Sequence, residues 1–284
     1  MNLSKFSLTL DDWGYLLKAV GSTSIRCRPT GIRPLVKDIF KGHLLRIPLD
    51  LCLNQYAFSY GTKGWNYFVD LAKELLLEPE RDFRETVFYE FFQSINPPTY
   101  TDLLTLNIKN RNHSITKIPF GSYPWGHFDM DICQESVCFL DLTSARESQT
   151  CMWPELGDSI NDILEREVEK TRKLVNSIKS RGYQVGRSHF RLPTVSRMIN
   201  RKGDVVFIQH DGAHRLAILA ALKYKTALVR LDPIRYPDIS ESAASTWSYV
   251  KSGLVTETSA IDIFNLYFEL DGRERTLLSL GQST

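Results

Sequence analysis

The 284-residue chain, 43% hydrophobic and 11% aromatic, can bury a core as one large domain or two small ones. Its 35 basic and 33 acidic residues nearly cancel, which withholds the excess positive charge that sequence-independent nucleic-acid binding needs, so nucleic acid is not an expected partner. The N-terminus has no apolar run followed by a small-residue cleavage site, and no later run approaches the ~20 apolar residues of a membrane span, so the expectation is a cytoplasmic protein without a membrane span.

The five cysteines, Cys27, Cys52, Cys133, Cys138 and Cys151, are odd in number and lack C-x-x-C spacing, so most of them read as buried thiols. Asp11 can cap a short helix over residues 7 to 20, and a connector rich in glycine, serine and proline follows. Residues 44 to 53 read as a buried strand or extended arm. Phe68, Leu71, Ala72, Leu75 and Leu76 have helical spacing within residues 65 to 77. A second helix over residues 82 to 94 carries Phe83, Phe88, Phe91 and Phe92, a stripe that reads as core rather than as a ligand-stacking surface. Asn96-Pro97-Pro98 stops it, and a boundary is expected near residues 108 to 114.

From Ile118 the texture turns to glycine, proline and aromatic residues, the expected rim of a site, and residues 137 to 142 have strand composition. Residues 162 to 181 predict a helix with Leu164, Val168, Thr171, Val175 and Ile178 on one side, charge on the other, and Gly182 as its stop. Two strands then flank a hairpin at Asn200-Arg201-Lys202-Gly203. A helix over 214 to 222 and a strand over 226 to 231 complete an α/β unit. Two more helices are expected near 240 to 251 and 260 to 270. The fold class is thus α+β, with a mainly helical region over 1 to 110, an α/β domain over 111 to 233 and a helical extension over 234 to 284.

The stretch VVFIQHDGAHRLAILAAL concentrates chemistry. A buried strand ends at Gln209-His210, turns through Asp211-Gly212-Ala213 and enters a helix at His214-Arg215. The free amides of that first turn and the helix dipole favour an anion there. Gly212 allows close backbone approach, Arg215 offers a forked guanidinium and His214 adds a second donor. The plainer alternative is that Asp211 caps the helix and Arg215 pairs with a surface carboxylate.

SIKSRGY, two strands, and HDGAHRLAILAALKYKTALVRL resemble the ParB/sulfiredoxin superfamily over residues 160 to 233. That resemblance implies a nucleotide-binding module in which Asp211, Gly212, Ala213, His214 and Arg215 hold the phosphates of ATP or another NTP. The D-G-A-H-R here is nearest the D-G-H-H-R of the free-serine kinases. Sulfiredoxin's glycine-cysteine pair is absent, since Ala213 precedes His214. The G-E-R-R box of ParB is met only at Arg215, with His214 in the preceding place, and no helix-turn-helix follows. The serine kinases also carry a glutamate near the preceding helix that accepts a hydroxyl proton and helps hold magnesium, which implies Glu165 or Glu167 as base beside Asp211 and His214. Against this, Glu165, Glu169 and Arg172 also fit a solvated charged face.

His127, Asp129 and Asp131 alternate along PWGHFDMD and suit substrate hydroxyls or a divalent cation, with Asp129 and Asp131 as the metal pair; ordinary rim residues are the alternative. His189 and Arg191 are candidates for a second anionic group or for a solvated loop. The wider pattern of an upstream helical region, a P-W motif, the helix with S-I-x-x-x-G-Y and D-G-x-H-R resembles proteins that accompany bacterial surface-polysaccharide genes, which implies a sugar or glycan-precursor acceptor. The expectation is therefore an ATP- or NTP-dependent, Mg2+-assisted phosphotransferase acting on a hydroxyl of a small substrate, with room for a homodimer. Its rivals are a ParB-like nucleotide switch that binds DNA or protein, and a nuclease.

Overall fold

A computed structural model describes residues 44–95, 97, 99–106, 116–118, 122–127, 160–183, 192–231 and 237–274. The expected helix over 7 to 20, the boundary near 108 to 114, the strand over 137 to 142, and Cys27, Cys133, Cys138 and Cys151 lie outside these residues.

The fold is α+β. Eight strands are described: β1 (Leu44–Pro48), β2 (Cys52–Leu53), β3 (Ser122–Tyr123), β4 (Gly126–His127), β5 (Thr194–Ile199), β6 (Val205–Asp211), β7 (Thr226–Leu231) and β8 (Ile239–Ser240). Six of them form one mixed sheet in the order β1-β7-β5-β6-β2, with β8 beside β5, while β3 and β4 make a separate hairpin. The β5–β6 hairpin turns where the sequence places it, at Asn200 to Gly203, with Gly203 at φ +82 and Asn200 donating to and accepting from Asp204. β5 runs parallel to β7 with Thr194 opposite Arg230, and β1 runs antiparallel to β7 with Leu44 opposite the same arginine.

The sheet crosses the domain boundary expected near residue 110. β1 pairs with β7, and β2 pairs parallel to β6 with Cys52 opposite Phe207, so residues 44 to 53 belong to the same layer as the α/β unit. A run this short, apolar at alternate and consecutive positions alike, does not reveal in sequence which strand it will pair with.

The helices are α1 (Tyr67–Leu77), α2 (Val87–Ser94), α3 (Tyr100–Thr105), α4 (Ile160–Arg181), α5 (Ala213–Ala221), α6 (Ser248–Lys251) and α7 (Glu257–Glu269). Asn66 starts α1 by accepting from the Phe68 amide, and the helix buries Phe68, Leu71, Ala72 and Leu75 against α5 and α4. The single helix expected over 82 to 94 is broken. Asp82 caps a 3-10 turn, Phe83–Glu85, and Thr86, extended at φ −87 and ψ 145, caps α2 by accepting from Tyr89. Two capping residues four apart punctuate what the aromatic spacing reads as continuous. Phe83, Phe88, Phe91 and Phe92 are all buried, as their core reading expects. At the other end Trp247, also extended, separates a 3-10 turn from the short α6, so the helix expected over 240 to 251 is likewise two pieces.

Candidate functional site

β6 runs on to Asp211, past the expected end at residues 209 and 210, because Asp211 still pairs with Thr194 across a bulge that leaves His210 of β6 without an opposite residue in β5. Gly212 then adopts φ +82 and ψ 25. A Cβ placed there would stand 2.8 Å from the Cα and 2.9 Å from the Cβ of Pro193, so the turn requires glycine on both conformational and steric grounds. A left-handed residue followed directly by a right-handed helix turns successive amides toward one concavity, a geometry suited to anions. The Arg215 and Leu216 amides return to the Gly212 carbonyl at 3.0 and 3.1 Å. The amides of Ala213 and His214 are those of the first helical turn, with no acceptor inside the helix.

The capping position belongs to Gly212, and no side chain caps α5, so Asp211 does not serve as the cap that the plainer sequence reading allows. Asp211 itself is the last residue of β6, directly before the turn. Arg215 is half-buried in the first turn, close enough to Tyr183 that its charge partly offsets the rise that burial imposes on that phenol. Arg230 brings a second guanidinium to the same end of the sheet, its Nη2 3.4 Å from Thr194 Oγ1 and its backbone amide on the Pro193 carbonyl at 2.8 Å.

His214 departs from the role its sequence position suggests. Its ring lies between α1 and α4, edge-on to Phe68 at 4.5 Å, with Nε2 2.8 Å from Glu167 Oε2 and Nδ1 2.9 Å from Thr171 Oγ1. The Nε2 to Oε2 approach has ion-pair distance but is out of line for a well-formed hydrogen bond. With both ring nitrogens turned into α4, the imidazole is not the second phosphate donor expected at the turn.

Glu167 is accordingly not a free base. Its side chain is 2% exposed, and its other oxygen accepts from Lys170 Nζ at 2.8 Å. Burial pushes this carboxyl up, but His214 and Lys170 together outweigh that and hold it below its ordinary value, so it is an anion at neutral pH. Glu165, two residues away, is exposed, since a two-residue step on a helix carries a side chain to the other side. Glu169 pairs with Arg172, whose guanidinium also donates to the carbonyls of Pro79 and Arg81 and ties α4 to the loop after α1. That pair is structural.

His127 lies on β4, paired with Ser122. Asp129, Asp131, His189 and Arg191 lie outside the described residues, so the metal and second-anion expectations that rest on them stand as expectations. Among the described residues no group of three or more His, Cys, Asp or Glu side chains is placed to hold a metal ion, and no helix is long and apolar enough to cross a membrane. Comparison with family models, with curated proteins and with solved structures finds no match to this chain.

Thr171, Tyr183, Pro193 and Arg230 were not foreseen as members of this neighbourhood. For Thr171 the signal was present: it follows Glu167 by four residues within an otherwise apolar stripe of Leu164, Val168, Val175 and Ile178. Two polar side chains one turn apart on a buried face need partners, and His214 is theirs. A second half-buried imidazole, His210, hydrogen-bonds Ser196 Oγ through Nε2 at 2.8 Å, and desolvation of the ring pushes its pKa down to about 3.

Proposed function

We propose that the chain is a nucleotide-dependent kinase, moving the terminal phosphoryl group of ATP or another nucleoside triphosphate onto a hydroxyl of a small metabolite, sugar or glycan precursor. The observation that carries this reading is the obligatory glycine at 212, from which the chain enters α5 with the first-turn amides of Ala213 and His214, and with Arg215, directly after the end of β6. The succession α4, β5, β6, Gly212, α5, β7 supports the resemblance to the ParB/sulfiredoxin superfamily and, through D-G-A-H-R, to its serine-kinase branch.

In this reading the amides of Ala213 and His214 and the guanidinium of Arg215 hold phosphate oxygens, with Arg230 adding positive charge at the same sheet end. Mg2+ commonly takes one or two protein carboxylates and completes its shell with phosphates and water, and Asp211, not spent on capping, is the carboxylate at hand for it. When bound, the ion would neutralise charge on the phosphates. The acceptor oxygen displaces the nucleoside diphosphate at phosphorus, and its proton is released to the medium or to a carboxylate. Phosphoryl transfer depends on positioning and charge neutralisation more than on a strong base, so withdrawing Glu167 from the base role does not weaken the proposal.

Calorimetric titration with ATP, CTP and GTP in the presence of Mg2+, wild type beside Arg215→Ala, tests it. Micromolar binding that weakens about ten- to a hundredfold in the variant is the expected result. A folded wild-type protein that binds none of the three overturns the kinase.

A further inference from the structure

The Thr171 hydroxyl carries one proton and has two neighbours that can take it, the Glu167 carbonyl at 2.8 Å and His214 Nδ1 at 2.9 Å. If it goes to the carbonyl, the hydroxyl faces Nδ1 with a lone pair, and Nδ1 must carry a hydrogen. If it goes to Nδ1, that nitrogen is an acceptor and the ring is the neutral Nε2–H form. Nε2 needs a hydrogen in either case, because the carboxylate oxygen 2.8 Å away is an acceptor only. The choice of one hydroxyl rotor therefore decides whether His214 is neutral or an imidazolium.

We infer that Thr171 and Glu167 are positioning residues that hold His214 as an imidazolium, making the ring a fixed positive charge beneath the anion-binding turn rather than a proton carrier. Three observations point this way. The carboxylate that faces Nε2 is almost wholly buried, and a buried anion gains most from a full positive charge against it. The Thr171 hydroxyl sits over the carbonyl four residues back, an arrangement threonine in helices adopts readily, which leaves its lone pairs toward Nδ1. The ring belongs to the second residue of α5, so its charge lies at the start of the helix that presents the amides of residues 213 and 214. Among the described residues, the charged groups close to this pair include Lys170, on the opposite Glu167 oxygen, and Arg215, next in sequence on α5; from α1 the ring meets Phe68, which carries no charge.

The ring's protonation can be read without any ligand, so it stands apart from the kinase proposal; its effect on nucleotide affinity rests on that proposal. Nitrogen-15 spectra of selectively labelled histidine, assigned with His214→Gln, report each ring nitrogen at pH 7.5. The expected result is that both His214 nitrogens are protonated in wild type and in Thr171→Ser. In Thr171→Val, where Nδ1–H loses its acceptor, the ring gives up that proton and Mg-ATP affinity falls about tenfold or more. An unprotonated Nδ1 in the wild-type protein overturns the inference, as does a Thr171→Val ring indistinguishable from wild type. Protonated nitrogens without nucleotide binding in any variant would retain the imidazolium and sink the kinase.

Discussion

Gly203 and Gly212 share a backbone φ of +82 and differ in what surrounds them, which allows conformational and steric costs to be separated in one protein. A Cβ at Gly203 meets nothing within 4 Å, whereas at Gly212 it falls 2.8 Å from the Pro193 Cα, 2.9 Å from its Cβ and 3.1 Å from its Cγ. Forcing alanine into a left-handed conformation costs about 1 to 2 kcal/mol, and that is the whole expected penalty for Gly203→Ala. Gly212→Ala carries the same conformational cost and adds the displacement of a proline backbone, an overpacking term of about 1 to 3 kcal/mol. Urea unfolding of both variants beside wild type should place Gly212→Ala below Gly203→Ala by that second term. On the kinase proposal, a separate Mg-ATP titration should show nucleotide binding lost only in Gly212→Ala, because a displaced Pro193 shifts the turn that carries the amides after residue 212. Equal destabilisation by the two alanines, or a Gly212→Ala protein as stable as wild type, would refute the claim that close approach of Pro193 shapes this turn.

Glu167→Ala strips a buried imidazole and a lysine of their shared anion and should destabilise the fold by about 3 kcal/mol in chemical unfolding, with Glu167→Gln intermediate. Because the folded Glu167 carboxyl lies below its unfolded value of 4.5, its contribution is fully present above that pH and drains away as pH falls further, so the Glu167→Gln and wild-type stabilities should converge in acid. His210 acts over a higher window: the unfolded ring takes up a proton below 6.5 while the folded ring resists to about 3, so folding weakens as pH drops through that interval. His210→Gln should remove about 2 kcal/mol of the stability lost between pH 7 and pH 5, measured as the difference between the two proteins' urea unfolding free energies. Tyr60→Phe removes the hydroxyl that donates to Gln209 Oε1 at 3.0 Å inside the core, leaving that oxygen unsatisfied at a cost of about 1 to 3 kcal/mol in the same assay.

The parts of the site that sequence makes legible are those that chain neighbours decide. A strand that runs into Asp-Gly and then an apolar helical stripe specifies the turn, the glycine and the place of Arg215, because all three are local consequences of backbone geometry. Pro193 is invisible from that stretch, since its approach to Gly212 depends on the pairing of Thr194 with Asp211 across two strands. The punctuation at Thr86 and Trp247 is missed for a related reason: helical spacing of apolar residues persists across a capping residue, and only the cap breaks the chain.

Glu167 and His214 illustrate the harder failure. Each is a plausible acid–base residue by type, and 47 positions of sequence separate them, so a reading along the chain assigns each its own function. Packing of α5 against α4 spends them on one another, with Thr171 completing the arrangement. The distinction has a chemical consequence. A histidine whose two nitrogens are both engaged inside the protein cannot shuttle a proton to a substrate without first breaking a buried ion pair, whereas it can contribute charge continuously. On the kinase proposal and the imidazolium inference together, residues 211 to 215 act as amides and a guanidinium resting on a charged ring rather than as a row of donors read off D-G-A-H-R, and the helix α4 behind the motif then helps determine how strongly the turn attracts phosphate.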